Sequence, residues 1–448
     1  MALRFGTDGV RGVAGAELTP EFAVTLGRAA ARVLNVERVV IGRDPRLSSP
    51  MLEGALAAGF AAEGVAVDLL GVIPTPGVAY IAKRWDAAAA VISASHNLFA
   101  DNGIKLFARG GRKLPDDVEA RIEVEVAGID RPVPGRDGDR IGTVVANTDG
   151  LVEYGDHLVA LMADEGLDGL RLVLDCANGA ASSLAASVFE RAGAEVLVIN
   201  DQPDGCNIND RCGTTHPERL RLEVVEVGAD AGLAFDGDAD RLIAVDHNGA
   251  VVDGDHILAI CAEDLQARDL LRDHTVVVTV MTNLGFRLAM TEAGIKVVET
   301  PVGDRYVLEA LEAGGYSLGG EQSGHVIFPD LAVTGDGLLS GLVLLDIVRR
   351  RGVALADLAA AAMTRLPQVL VNVRVAGGAD AAVDELAPHT EAAQAVLGER
   401  GRVLVRASGT EPLVRVMVEA EDEATAHRIA DELAERVASR GSRPEASA

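Results

Sequence analysis

Apolar and polar residues follow two periods that take turns along this chain. Phe22, Leu26, Ala29, Ala30 and Val33 recur at helical spacing, with Thr19 as N-cap and Pro20 at the first position, which predicts a helix over Glu21–Asn35. Arg38–Ile41 and Val65–Leu70 read as strands, with a second helix at Ser49–Glu63 between them. Ala87–Val91 is small and apolar enough for a buried strand. The rhythm restarts with strands at Leu170–Asp175 and Glu195–Asn200, and again near Val251, with strands at Val276–Val280 and Lys296–Thr300. Alternation of this kind predicts α/β layers, each sheet covered on both faces. Asp336–Arg351 reads as an apolar helix whose three closing arginines and Gly352 suit the negative end of its dipole. The last portion differs: strands at Val369–Val375, Arg402–Val405 and Leu413–Glu419 accompany helices at Ala379–Leu397 and Glu423–Ser439. Four domains are expected, at 1–149, 150–249, 250–365 and 366–448, with Gly128–Gly142 a surface excursion and Gly441–Ala448 a frayed tail.

Composition narrows the choices. A chain of 448 residues with 48% hydrophobic and 24% charged residues is globular and too long for one core. Aromatics make up only 3%, so the cores must be built from Ala, Val, Leu and Ile. Basic residues number 41 against 68 acidic ones, a formal charge of -27 that repels nucleic acid and anionic membranes. An anionic ligand would need a local basic cluster. Cys176, Cys206, Cys212 and Cys261 form no C-x-x-C pair and read as reduced thiols of a cytoplasmic protein. The start carries Arg4, Asp8 and Arg11 and has no signal-peptide pattern, and the most apolar run, Leu338–Val348, is too short to span a bilayer.

The chemistry sits where the strands stop. Ile92–Lys105 reads as a polar loop after a buried strand, bringing Ser93, Ser95, His96, Asn97 and Lys105 together. Open α/β sheets place ligands at such strand ends, and a serine there can carry a phosphoryl group if its charge is neutralised. Phe5–Gly12 reads as a glycine-rich turn in which Arg11 offers a planar fork for phosphate. Asp236-Gly237-Asp238-Ala239-Asp240-Arg241 aims three carboxylates at one point. Oxygen ligands alone indicate a hard ion such as Mg²⁺, and the apolar Leu242–Val245 argues against an EF-hand. Gly320–His325 places Glu321 and Ser323 between glycines, suited to sugar hydroxyls, beside a titratable His325. Arg406, Ser408, Gly409, Thr410 and Arg415 offer guanidinium, hydroxyl and backbone N–H donors for a phosphate, although no P-loop sequence occurs. Cys206, Cys212 and His216 lie in one loop, but their spacing fits no standard zinc site.

These motifs, in this order, resemble the α-D-phosphohexomutase superfamily from Phe5 to beyond Glu419, with Asn207–Glu218 and Thr282–Phe286 adding to the likeness. The Gly-Glu-Gln-Ser-Gly-His form of the third motif, and Ala239 in the acidic loop, resemble the branch acting on glucosamine phosphates more than those acting on glucose or mannose phosphates. The resemblance implies three related α/β mixed-sheet domains and a smaller C-terminal α+β domain around a central cleft. It implies interconversion of glucosamine 6-phosphate and glucosamine 1-phosphate, toward UDP-N-acetylglucosamine. Ser95 would be the phosphoserine, holding one Mg²⁺ together with Asp236, Asp238 and Asp240. Lys105 and His325 would be acid/base candidates, with Arg11 and Arg241 beside the transferring group. Glu321 and Ser323 would grip the sugar, and Arg406, Ser408, Gly409, Thr410 and Arg415 the phosphate that does not react.

A glucosamine or glucose 1,6-bisphosphate would serve as activator and intermediate, a kinase or bisphosphate would prime Ser95, and the protein would be a monomer or homodimer. Two departures stand out: Leu98 occupies a position where the family usually has proline, and Ala100 one where tyrosine is common. Without that proline the Ser95 loop is expected to be less rigid. Rival readings are a glucose/mannose phosphomutase of broad specificity, a Mg²⁺-dependent phosphatase using the same serine, and a non-catalytic sugar-phosphate sensor.

Overall fold

Four sheets form in the computed structural model, which describes residues 4–6, 8–129, 137–162, 166–375, 378–407 and 413–440. The first sheet holds β1 (Val10–Val13), β2 (Arg38–Arg43), β3 (Ala66–Val72), β4 (Ala88–Ile92), β5 (Asp101–Ala108), β6 (Arg112–Lys113) and β7 (Val144–Ala146). Its order is β1-β5-β4-β2-β3-β7, with β6 paired to β5. Strands β4, β2, β3 and β7 run parallel, whereas β5 runs antiparallel to both β4 and β1. The helix Pro20–Leu34 forms where its spacing predicts, and Thr19 caps it by accepting from the Phe22 N–H.

Two stretches read as loops are strands. The polar loop after β4 ends at Ala100, and Asp101–Ala108 is a strand buried between two partners. Its polar residues hide it from a hydrophobic pattern because they are held internally: Asn102 donates to the Ser48 and Ser49 hydroxyls, and Lys105 is ion-paired. Likewise the turn expected at Phe5–Gly12 gives way at Val10 to the edge strand β1, which places Arg11 opposite Gly103.

The second sheet contains β8 (Arg171–Asp175), β9 (Glu195–Ile199), β10 (Ala231–Phe235), β11 (Leu242–Asp246) and β12 (Val251–Val252), in the order β12-β11-β10-β8-β9. The third contains β13 (Thr275–Thr279), β14 (Lys296–Thr300), β15 (Gly319–Gly320) and β16 (Val326–Ile327), in the order β14-β13-β15-β16. One plan recurs in all three sheets. A strand from the parallel part is followed by an antiparallel return, β4 to β5, β10 to β11 and β15 to β16. The three reversals carry the serine loop, the acidic loop and the Glu321–His325 loop respectively, so the fold delivers each motif by the same device.

The fourth sheet is wholly antiparallel: β17 (Gln368–Arg374), β18 (Arg402–Ala407) and β19 (Leu413–Glu419), ordered β17-β19-β18. The helices Ala379–Leu397 and Glu423–Arg440 cover it, closing a core of Val414, Val416, Val418, Ile429 and Leu433. Two compact units result. One runs to Met281 and resumes over Gly294–Ala362; the other takes Thr282–Ala293 together with the chain from Met363 onward. Within the second, Asn283 accepts from the Gly285 and Leu366 N–H groups, which fastens the helix Leu284–Glu292 to the segment entering β17. Among the described residues no helix is long and apolar enough to cross a membrane.

Candidate active site

The site in the first unit is assembled from the three strand reversals. Ser95 is 1% exposed and has a φ of 51°, a left-handed conformation that is uncommon for a residue with a side chain. Its backbone is held in place by buried polar groups. Arg46, at 0% exposure, donates to the carbonyls of Ser95 (3.0 Å), Asn97 (2.8 Å), Leu98 (2.5 Å) and Asp101 (3.2 Å). Asn209 donates to the same Ser95 and Asn97 carbonyls at 2.8 and 2.9 Å. Asp44 pairs with Arg46 at 2.8 Å and accepts from the Ser93 and Ser49 hydroxyls. A loop expected to be slack without proline is therefore clamped by a guanidinium fork.

The acidic loop lies directly on the serine loop. Ser95 Oγ donates to Asp236 Oδ2 at 2.5 Å. Gly237 permits this approach, since a Cβ there would lie 2.5 Å from the Ser95 carbonyl oxygen. Asp236, Asp238 and Asp240 are all buried, and one oxygen of each lies within 4.8 Å of the others. Burial and the neighbouring Asp240 and Asp238 push the Asp236 carboxyl up to about 8. Oδ1 of Asp238 and Oδ1 of Asp240 are buried without a hydrogen-bond partner among the described residues. Three converging carboxylates, two with orphaned oxygens and one resisting ionisation, fit a hard divalent cation. Thr75 fixes Asp238 from outside, its hydroxyl donating to Oδ2 at 2.6 Å.

Cations gather around this cluster. Lys105 Nζ lies 2.8 Å from Asp238, 2.9 Å from Asp8 and 3.3 Å from Asp240. Burial opposes its charge, but Asp238, Asp8 and Asp240 outweigh burial and hold the ammonium well above its ordinary range. His96, next to Ser95, is pushed down to about 4 by burial and by Arg241 and Arg11, so it is neutral. The Nε atoms of Arg11 and Arg241 are both buried without a hydrogen-bond partner among the described residues. His325 Nε2 accepts from the Gly335 N–H at 3.2 Å, and its Nδ1 faces Asp240 at 3.6 Å. Burial works against its protonation, but Asp240 and Asp304 prevail and raise its pKa above the usual histidine value. Lys113 bridges Asp8 to Asp304, which faces His325. Lys105, Asp8, Lys113, Asp304, His325 and Asp240 thus close a ring of alternating charge.

The third reversal is tied to the second through the Leu242 N–H, which donates to the Gly324 carbonyl at 3.0 Å. Glu321 Oε1 accepts from the Gly303 N–H at 3.2 Å, and Ser323 Oγ is buried with no hydrogen-bond partner among the described residues. The second unit carries the other anion-binding candidates. Arg406 and Arg415 are direct cross-strand partners on β18 and β19. Burial and the facing Arg415 lower the Arg406 pKa, and Arg415 Nε is buried with no hydrogen-bond partner among the described residues. Like charges placed opposite each other are unfavourable unless an anion joins them. Ser408, Gly409 and Thr410 lie outside the described residues.

Ser95, Lys105, Arg11, Arg241, His325 and the three aspartates are thus gathered together. The sequence reading missed Asp44, Arg46, Thr75, Asn209, Lys113 and Asp304 as parts of the site. The local signals were the charged run Arg43-Asp44-Pro45-Arg46 at the end of a buried strand and, for Asn209, the Asn207–Glu218 stretch.

The chain matches the phosphoglucomutase/phosphomannomutase family in four consecutive parts: alpha/beta/alpha domain I over residues 2–132, domain II over 152–249, domain III over 253–366 and the C-terminal domain over 370–436. It is 54% identical to the phosphoglucosamine mutase of Thermobifida fusca, covering 98% of both chains. Its fold superposes on that of a phosphoglucomutase/phosphomannomutase family protein from Burkholderia thailandensis with a TM-score of 0.79, at 26% identity and 97% of each chain. It also superposes on an N-acetylphosphoglucosamine mutase from Aspergillus fumigatus, solved with GlcNAc-6P and magnesium, with a TM-score of 0.68. That pair is 18% identical, over 99% of this chain and 96% of the other, and the likeness is one of fold. The order of the four parts, the full-length likeness and the shared fold place this chain in the phosphoglucomutase/phosphomannomutase family, within the α-D-phosphohexomutase superfamily.

Proposed function

We propose that this protein interconverts glucosamine 6-phosphate and glucosamine 1-phosphate, with Ser95 as phosphoryl carrier. The observation that carries the reading is Ser95 Oγ, buried and 2.5 Å from a three-aspartate cluster that also holds Lys105. The name of the 54% identical relative supports glucosamine as the sugar. The magnesium in the Aspergillus protein's structure supports that ion as the occupant of the acidic cluster. Asp236, Asp238, Asp240 and phosphorylated Ser95 would hold it, and bound there it would offset charge on the transferring phosphoryl group.

The chain's own residues then divide the work. Arg46 and Asn209 hold the Ser95 backbone in place, so that the phosphoryl group meets its acceptor without reorganisation. Arg11 and Arg241, whose Nε–H groups make no hydrogen bond among the described residues, cradle the equatorial oxygens. Lys105, charged and fixed by three carboxylates, steadies the same group and the sugar oxygen that receives it. His325, whose Nδ1 faces Asp240, is the second acid/base candidate. Glu321 and Ser323 grip sugar hydroxyls, and Arg406 and Arg415, with Ser408, Gly409 and Thr410, hold the phosphate that does not react. A phosphoserine that gives its group to one sugar oxygen and takes one back from the other needs a sugar 1,6-bisphosphate as intermediate. That bisphosphate, or a kinase, would also prime Ser95. The four cysteines, all free, support a cytoplasmic setting.

The test is a side-by-side turnover assay with glucosamine, glucose and mannose 6-phosphates, given Mg²⁺ and a trace of bisphosphate. Preference for the glucosamine compound, lost in Ser95→Ala, is the expected result. Preference for glucose or mannose would keep the mechanism and replace the substrate. Release of inorganic phosphate matching consumption of the sugar phosphate would make the protein a phosphatase.

A further inference from the structure

A cavity of about 450 Å³ lies behind the acidic loop, between the helix Thr75–Arg84, the helix Asp149–Ala160 and the segment Asp330–Asp336. None of the residues assigned above to catalysis, metal or substrate lines it. Its volume falls within the range of about 300–1,000 Å³ common for small-molecule sites, and it lies where three segments far apart in sequence meet. Its lining is chemically mixed. The Tyr80 and His157 rings are half-buried and stacked, with centroids 4.3 Å apart and planes 13° apart. Burial, with Lys83 and Arg84 nearby, lowers the His157 pKa, so the stack is uncharged. Lys83 and Arg84 are exposed and line the same cavity. Arg84 is taken up by Glu153 at 2.5 Å, whereas Lys83 has no ion-pair partner among the described residues. An uncommitted ammonium beside an aromatic stack suits a flat ring bearing an anionic group.

The walls of this cavity also touch the acidic loop. At the start of the first helix, the Thr75 N–H donates to the Asp238 carbonyl at 2.9 Å and its hydroxyl to the Asp238 carboxylate at 2.6 Å. At the other wall, buried Tyr154 donates to Asp336 at 2.8 Å, and the next residue, Gly337, donates to the Ala239 carbonyl at 3.0 Å. A ligand pressing on either wall therefore bears on residues hydrogen-bonded to the metal-holding loop.

We propose that this cavity is a second small-molecule site, taking a mononucleotide-sized anion with its ring against Tyr80 and His157 and its phosphate at Lys83, and that its occupation alters turnover through Thr75 and Gly337. The binding half of the proposal does not rest on the activity proposed above. The coupling half does, because it is read in turnover.

The chain's single tryptophan, Trp85, directly follows Arg84 and serves as reporter. The experiment titrates the full-length protein with AMP, GMP, CMP and UMP and follows Trp85 emission, with adenosine and inorganic phosphate as the ring-only and anion-only arms. The expected result is a saturable change with at least one monophosphate, at least tenfold weaker with either half alone. It should be unaffected by sugar phosphate and weakened at least tenfold in Lys83→Glu, whose turnover without nucleotide stays at the parent level. Ala332→Phe, which fills the cavity from the loop side, should abolish it. Turnover of the sugar phosphate should change at least twofold at saturation. No saturable response to any of the four overturns the site, as does a response that survives Lys83→Glu or is displaced by sugar phosphate. Binding that leaves turnover unmoved overturns the coupling. A protein that turns over no sugar phosphate fails the proposed activity, while the emission titration still decides the site.

Discussion

Arg46 and the Arg406–Arg415 pair put the same side chain to opposite uses. Arg46 is wholly buried, ion-paired to Asp44 and committed to four backbone carbonyls, so nothing of it remains for a ligand. Arg406 and Arg415 face each other across two strands, and the Arg415 Nε–H is buried with no hydrogen-bond partner among the described residues. The first arrangement is complete without substrate and organises the Ser95 loop in advance. The second brings two like charges together, and a dianionic phosphate would offset them. A mutase needs both kinds of site: one that fixes the reacting serine, and one that binds strongly only while a sugar phosphate is present.

The difference can be broken or sharpened by four measurements. The largest effect is expected on the rigid side. Ser95→Ala removes the carrier and should lower kcat by at least ~10³-fold in the turnover assay, with little change in melting temperature. Next comes the cation. Chelation with EDTA should reduce turnover by about 10²- to 10³-fold, restored by added Mg²⁺, since a divalent cation can join all three carboxylates and offset charge on the transferring group, which Lys105 alone cannot. Arg46→Ala should then cost about 10²-fold in kcat, with less phosphate retained on Ser95 by mass spectrometry, because the loop carbonyls lose their clamp. Arg46→Lys keeps the charge but not the fork and should rescue only part of this. The smallest effect belongs to the open site. Arg415→Ala should raise KM by roughly tenfold, as losing one charge-assisted hydrogen bond implies, and should leave Ser95 phosphorylation untouched. A kcat defect in Arg415→Ala equal to that of Arg46→Ala would erase the distinction.

Residues whose chemistry is local were legible from the chain alone. Asp236, Asp238 and Asp240 lie within five residues of one another, and a tight loop between two apolar strands leaves them little choice but to converge. Ser95 stood out because polar residues follow a buried strand abruptly. Arg46 was passed over because its partners, Ser95 through Asp101, lie about fifty positions away, and an arginine after a strand ordinarily faces solvent. Lys113 and Asp304 are 191 positions apart, and no local pattern announces their bridge. The strand Asp101–Ala108 was obscured for the same reason: the polar groups that make it look like a loop are satisfied by residues from other elements. Leu98, which suggested a slack loop, sits in one whose rigidity comes from a side chain outside it.

The ring of alternating charge joining Lys105, Asp8, Lys113, Asp304, His325 and Asp240 bears on how this protein can change over generations. Each member answers two neighbours, so a single exchange strands two opposite charges at once, while a compensating exchange must arise far away in the gene. These six positions are therefore expected to be inherited as a block. A chimera that takes residues 1–149 from one relative and the rest from another should work only when both parents carry the ring alike.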